Sequence, residues 1–77
     1  MDRALVERAR DGDRDAYEAL AHASARRLYL TAYRIVRDGD QAEDAVQQTF
    51  VAMWRELPSL RDPDRFEAWT YRLVVRF

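Results

Sequence analysis

The chain has no cysteine, no lysine and no asparagine in its 77 residues, and only one histidine, two glycines and two prolines. Without thiols there is no disulfide framework and no thiolate metal site, which argues against a small secreted scaffold. Two glycines are too few for a phosphate-cradling loop. His22 lies in an alanine-rich helical stretch and is expected to be an incidental helix residue. No apolar run approaches the roughly 20 residues that a membrane span needs, and the N-terminus lacks a signal-peptide pattern, so the expected setting is the cytoplasm with no membrane partner. Ser24 and Ser59 have no partner base within sequence reach. The carboxylates read as helix caps rather than as oxygen ligands converging from several elements. The expectation is therefore a non-enzymatic protein with no catalytic residue, no metal and no cofactor.

What the chain does contain is apolar bulk and balanced charge. Hydrophobic residues make up 48% of it, with two Trp, four Tyr and three Phe, and this length makes one small domain. Such a domain buries only about 60–65% of its unfolded surface, so a thin core has to be filled by large side chains. Thirteen arginines face fourteen carboxylates, for a net charge of -1. That balance argues against a general duplex-coating protein. It remains compatible with one that reads a few bases and takes most of its affinity from a partner.

The punctuation predicts four helices and no strand. Asp2 can cap a short helix over Arg3 to Arg10, with Leu5, Val6 and Ala9 inward; Asp11-Gly12-Asp13 ends it, Gly12 as the left-handed residue. Asp15 and Glu18 form an acidic capping box that opens a long helix to about Arg37. Tyr17, Leu20, Ala21, Ser24, Leu28, Ala32 and Ile35 trace one stripe along it, and Ala25, Tyr29, Tyr33 and Val36 a second. Two stripes imply a central helix with neighbours on more than one side.

Asp38-Gly39-Asp40 is the next turn. Asp40 with Glu43 is expected to cap the third helix, which Pro58 stops. Its apolar face is Ala42, Val46, Thr49, Phe50, Met53 and Leu57. The opposite stripe, Asp44, Gln47, Gln48, Val51 and Arg55, mixes an amide pair with a carboxylate and a valine, which is either an ordinary solvated face or a docking surface.

After the loop Pro58 to Pro63, Asp62 is a good N-cap and Pro63 sits where its missing N–H costs nothing. The last helix is expected to run from there to the C-terminus with Phe66, Trp69, Thr70, Leu73 and Phe77 inward. It ends without a C-cap in an apolar and basic run, which reads as a fragment of a longer protein. The architecture is a compact all-α, four-helix domain spanning residues 1–77.

Arginines cluster in two places. Arg26, Arg27, Arg34 and Arg37 enrich the second half of the long helix, where Arg34 and Arg37 also complement the helix dipole. Arg61, Arg65, Arg72 and Arg76 surround the loop and last helix, interleaved with Leu60, Trp69 and Tyr71. Charge beside planar side chains suits single-stranded nucleic acid, although Phe66 and Trp69 at such spacing are more often core than platform.

Several segments together, LVERARDGDRDAYEAL, RRLYLTAYRIVRD, AEDAVQQTFVAMWREL and FEAWTYRLVVR, resemble region 2 of bacterial sigma factors. The likeness is to the extracytoplasmic-function (ECF) class of the sigma-70 family, and it covers essentially the whole chain in order. The resemblance implies docking on the β′ clamp helices of core RNA polymerase through Asp44, Gln47 and Gln48, with Val51 and Arg55 alongside. Gln48 stands where the family has a carboxylate, keeping an acceptor and losing a charge. It also implies recognition and melting of the minus-ten promoter element for transcription initiation. A flipped base of the single-stranded non-template strand would be held by Leu60 and Arg61 in the loop and by Trp69, Arg72 and Arg76 on the last helix. An anti-sigma factor is a further implied partner. The alternative is a helical protein-interaction module without DNA binding.

Overall fold

A computed structural model describes all 77 residues, Met1–Phe77. Four α-helices pack around one core: α1 (Arg3–Arg10), α2 (Arg14–Val36), α3 (Gly39–Glu56) and α4 (Phe66–Val74). Two 3-10 turns, Leu57–Ser59 and Pro63–Arg65, join α3 to α4. No strand forms, as the periodicity predicts. α2 is the central element and packs against α1, α3 and α4. Of its first stripe Leu20, Ser24, Leu28 and Ala32 are buried, while Tyr29 and Val36 of the second are half-buried.

Both expected capping boxes give way to an aspartate just upstream. The N-cap of α2 is Asp13, whose carboxylate accepts from the Ala16 amide at 3.1 Å, and that of α3 is Asp38, which accepts from the Gln41 amide at 3.0 Å. Asp15 and Asp40 fall instead in the first turns, where negative charge suits the positive end of the helix dipole. The preceding residue decides the matter. Gly12 at φ 102 and Arg37 at φ 56 turn the chain in the left-handed region, so the next extended residues, Asp13 and Asp38, already meet the helix start. Glu18 and Glu43 make no reciprocal bond.

The last helix also departs from expectation. Asp62 caps the Asp64 amide at 3.0 Å, but Pro63–Arg65 is a 3-10 turn and α4 proper begins at Phe66 and stops at Val74. Phe66, Trp69, Thr70 and Leu73 are buried as the stripe predicts, whereas Phe77 is exposed because it lies past the end of the helix. Ile35 is exposed for a similar reason: it is in the last turn of α2, where no neighbouring helix covers it.

Hydroxyls inside the core show how the fold handles polar atoms. Thr49 donates to the Ala45 carbonyl at 2.7 Å, and Thr70 donates to the Glu67 carbonyl while accepting from Arg27 at 2.9 Å. Ser24 is fully buried and its hydroxyl has no partner. An unmade hydrogen bond costs more than the absence of the group, so Ser24→Ala is expected to stabilise the domain by about 1 kcal/mol. Urea unfolding should show a higher midpoint at unchanged slope.

Candidate docking and nucleic-acid interface

The apolar face of α3 is committed to the interior: Ala42, Val46, Thr49, Met53 and Leu57 are buried and Phe50 is half-buried. The opposite stripe is open along its length. Asp44, Gln47, Gln48, Val51 and Arg55 are all exposed, with Val51 at 57%. These residues span eleven positions of one helix, roughly 16 Å at 1.5 Å per residue. Asp44 and Arg55 take no part in any of the chain's ion pairs. A carboxylate, two amides, a valine and a guanidinium thus stand in a row with no partner in the chain.

Beside this row lies a groove between α2 and α3 that brings Tyr29 and Phe50 together with Glu43, Asp44 and Gln47. Two carboxylates next to half-buried aromatic rings suit a cationic side chain of a partner. The groove is braced from the other end of the helix pair, where the Tyr17 hydroxyl donates to the Phe50 carbonyl and the Tyr17 ring meets Trp54 edge-on at 5.0 Å. Burial pushes the Tyr17 hydroxyl above its ordinary pKa, which extends its range as a donor further into alkaline pH. Sequence reading missed Tyr29 and Tyr17 in this role, because both fall on stripes that read as ordinary core.

The residues expected to hold a strand are placed less uniformly. Arg61 and Arg72 are exposed and make no ion pair. Leu60 and Trp69, in contrast, are buried at 6% and 9% exposure, and the Trp69 ring packs against Phe66 with centroids 6.1 Å apart. Neither offers a free face as the chain stands, because the connection after α3 folds inward. Arg10 of α1 holds that connection, donating to the Leu60 and Arg61 carbonyls at 3.2 and 3.4 Å. Nothing in the local sequence marks Arg10 for this job, fifty residues away.

Arg76 belongs with α3 rather than with Arg61 and Arg72. Its guanidinium makes two bonds to Glu56 at 2.6 and 3.2 Å, and it lines a groove with Gln48, Val51, Arg55 and Phe77. The Arg76 hydrogen bond holds the Glu56 carboxyl below its ordinary value of 4.5. A carboxyl depressed in the folded state contributes stability above its unfolded pKa and loses it as pH falls through the folded one. Acidification below about pH 4.5 should therefore weaken this tie and lower the melting temperature. Glu56→Gln should remove part of that acid sensitivity, read as the melting temperature against pH.

The family model for sigma-70 region 2 matches residues 20–77. The chain belongs to the sigma-70 family. It is similar to the RNA polymerase sigma-H factor of Pseudomonas aeruginosa, 31% identical over 75 residues, which covers 97% of this chain and 39% of the relative. It is also similar to the ECF RNA polymerase sigma-E factors of Salmonella typhimurium strain LT2 and Escherichia coli strain K12. Each is 35% identical over 74 residues, covering 96% of this chain and 38% of theirs. The region 2 domain thus spans about two-fifths of the length of the curated relatives it matches. No solved structure matches it significantly. No helix is long and apolar enough to cross a membrane.

Proposed function

We propose that this sigma-70 region 2 domain serves transcription initiation by docking on core RNA polymerase and capturing a melted promoter strand. Docking uses the open face of α3: Asp44, Gln47 and Gln48 supply hydrogen bonds to the β′ clamp helices, and Val51 and the Arg55 stem supply buried contact. The observation that carries this reading is the unpartnered row itself, exposed on a helix whose other face packs on the core. The non-template strand of the minus-ten element is held by Arg61, Arg72 and Arg76. Leu60 and Trp69 act from beneath as the packed support of that surface. Arg76 must leave Glu56, or bind a phosphate while paired to it, which makes it the weakest of the three contacts. An anti-sigma factor that covers the α3 face would block docking. With a net charge of -1 the domain has little general attraction for DNA, and attachment to a large partner supplies the missing affinity.

The test is binding of the domain to the isolated β′ clamp helices, with Asp44→Ala and Gln47→Ala measured beside it. Each truncation removes a hydrogen-bonding group from the interface and should weaken binding by about 1–3 kcal/mol. Loss in both variants supports polymerase docking. A folded, unmutated domain that fails to bind would leave an interaction module for a different partner.

A further inference from the structure

The surface proposed to capture a strand includes a short stretch that backbone hydrogen bonding alone does not hold. Leu60, Arg61 and Asp62 lie between the two 3-10 turns and outside both. The Leu60 amide donates to the Leu57 carbonyl at 3.0 Å, and the Asp62 carbonyl accepts from the Arg65 amide at 2.9 Å. The Leu60 and Arg61 carbonyls, in contrast, accept from no backbone amide. Their one donor in the chain is Nη1 of Arg10, at 3.2 and 3.4 Å. Arg10 is half-buried at the end of α1 and belongs to none of the chain's ion pairs. The other links from α1 to this region are of a different kind. Arg3 pairs with Asp64 at 2.8 Å and the Met1 amine with Glu67 at 3.0 Å, surface ion pairs that water and salt weaken. Neither reaches a loop carbonyl.

We propose that Arg10 is a positioning residue for strand capture, one that aims the Arg61 side chain at the melted strand. The inference rests on the strand-capture reading above. Its basis is where the two bonds fall. The Leu60 and Arg61 carbonyls belong to the peptide units on either side of the Arg61 Cα. Each unit is planar, so anchoring both leaves the φ and ψ of Arg61 little freedom and sets the direction of its side chain. The result is visible in the chain: Leu60 is turned inward and buried, and Arg61 next to it is exposed. A charged donor makes these bonds stronger than a neutral one would. The bonds are not what attaches α1, which already buries Val6 and Ala9 in the core. Without Arg10, the Arg61 backbone would be ordered only as the strand binds, and that ordering entropy would oppose capture.

The 77-residue chain is titrated at low salt, where phosphate contacts are strongest, with a short fluorescent single strand of randomised sequence. Arg10→Met keeps an aliphatic stem and removes the donor, and is expected to weaken strand binding about tenfold. Arg8→Met removes the same charge from the same helix, where Arg8 pairs with Asp13, and is expected to change binding little. Arg10→Lys should recover most of the loss, because a single nitrogen serves both carbonyls. The deciding readout is a double-mutant cycle: with Arg61→Gln in place, Arg10→Met should have little further effect, since no guanidinium is left to aim. Additive losses from Arg10 and Arg61 would make Arg10 an independent contact and overturn the proposal. Equal weakening by Arg8→Met and Arg10→Met would reduce the effect to charge and overturn it, as would no recovery in Arg10→Lys. Circular dichroism checks that each variant is folded, and Arg10→Gln replaces Arg10→Met in the cycle if the latter is not. Arg61→Gln binding as tightly as the unmutated chain would refute strand capture through Arg61, and the inference with it. Loss in Arg61→Gln with none in Arg10→Met would refute the positioning role alone.

Discussion

Phe66→Ala is expected to remove about 3–5 kcal/mol of stability, the range for deleting a large aromatic side chain from a packed core. Phe66 is fully buried and is the largest such side chain in the domain. Its position explains why so much depends on it. It opens α4 directly after the 3-10 turn, and its ring lies 6.1 Å from that of Trp69. It belongs to the same buried cluster as Leu57 and Leu60 of the connection from α3. A domain of this size has a total stability of about 4–12 kcal/mol, so the variant would be close to half unfolded at the low end. In a thermal melt the loss corresponds to a drop of roughly 12–40 °C, at 4–8 °C per kcal/mol for a domain this small. Phe66→Leu should fall by much less, because most of the volume remains. A change of under about 1 kcal/mol for the alanine variant would mean that α4 does not pack on this residue at all.

That result bears on Trp69. The sequence allows its ring to be either core or a platform for a base, because aromatic spacing on a helix looks the same in both cases. Packing decides it, and packing here depends on residues distant in sequence. Arg10 ties α1 to the Leu60 and Arg61 carbonyls, and Pro63 is buried beneath the turn, which draws the connection and Trp69 inward together. The same kind of distance hides the Arg76–Glu56 pair, whose partners lie on different helices or beyond their ends. Local rules had no access to either.

What local rules could reach, they reached well. The three-and-four spacing of Ala42, Val46, Thr49, Phe50, Met53 and Leu57 marks a face that is buried except at the half-buried Phe50, and the stripe from Asp44 to Arg55 is exposed in full. The helix starts were ambiguous for a different reason. In both Asp13-Arg14-Asp15 and Asp38-Gly39-Asp40, two nearby aspartates satisfy the same capping preference. The choice rests on a backbone angle upstream, including a left-handed Arg37 that no propensity would single out. The arginines of α2 were legible as a cluster. Whether they complement a helix dipole or line a groove depended on which of them α4 left uncovered. Arg37, past the end of α2, serves the left-handed turn, while Arg26 and Arg34 stand open.

Asp44→Arg is the substitution that decides between a docking surface and a solvated face on α3. Asp44 is exposed and has no ion-pair partner, and it lies beyond the first turn, so its charge matters little to the helix. The free domain should keep its melting temperature, with a stability change within about 0.5 kcal/mol. Docking responds differently. Asp44 shares its groove with Glu43, Tyr29 and Phe50, a setting that draws a cation from the partner. Reversing the charge both removes a charge-assisted bond and sets two cations against each other as water leaves the interface. Removal alone costs about 1–3 kcal/mol, as in Asp44→Ala, and like-charge repulsion adds several more. Binding to the β′ clamp helices should therefore fall by at least about thirtyfold, taking 1.4 kcal/mol per factor of ten, and by more than in Asp44→Ala. A substitution to glutamate in place of a clamp-helix cation facing this groove should recover part of the loss, since the new arginine would then meet a carboxylate. If Asp44→Arg binds as tightly as the unmutated domain, the α3 row is a solvated face, and docking on polymerase has to be sought elsewhere on the domain.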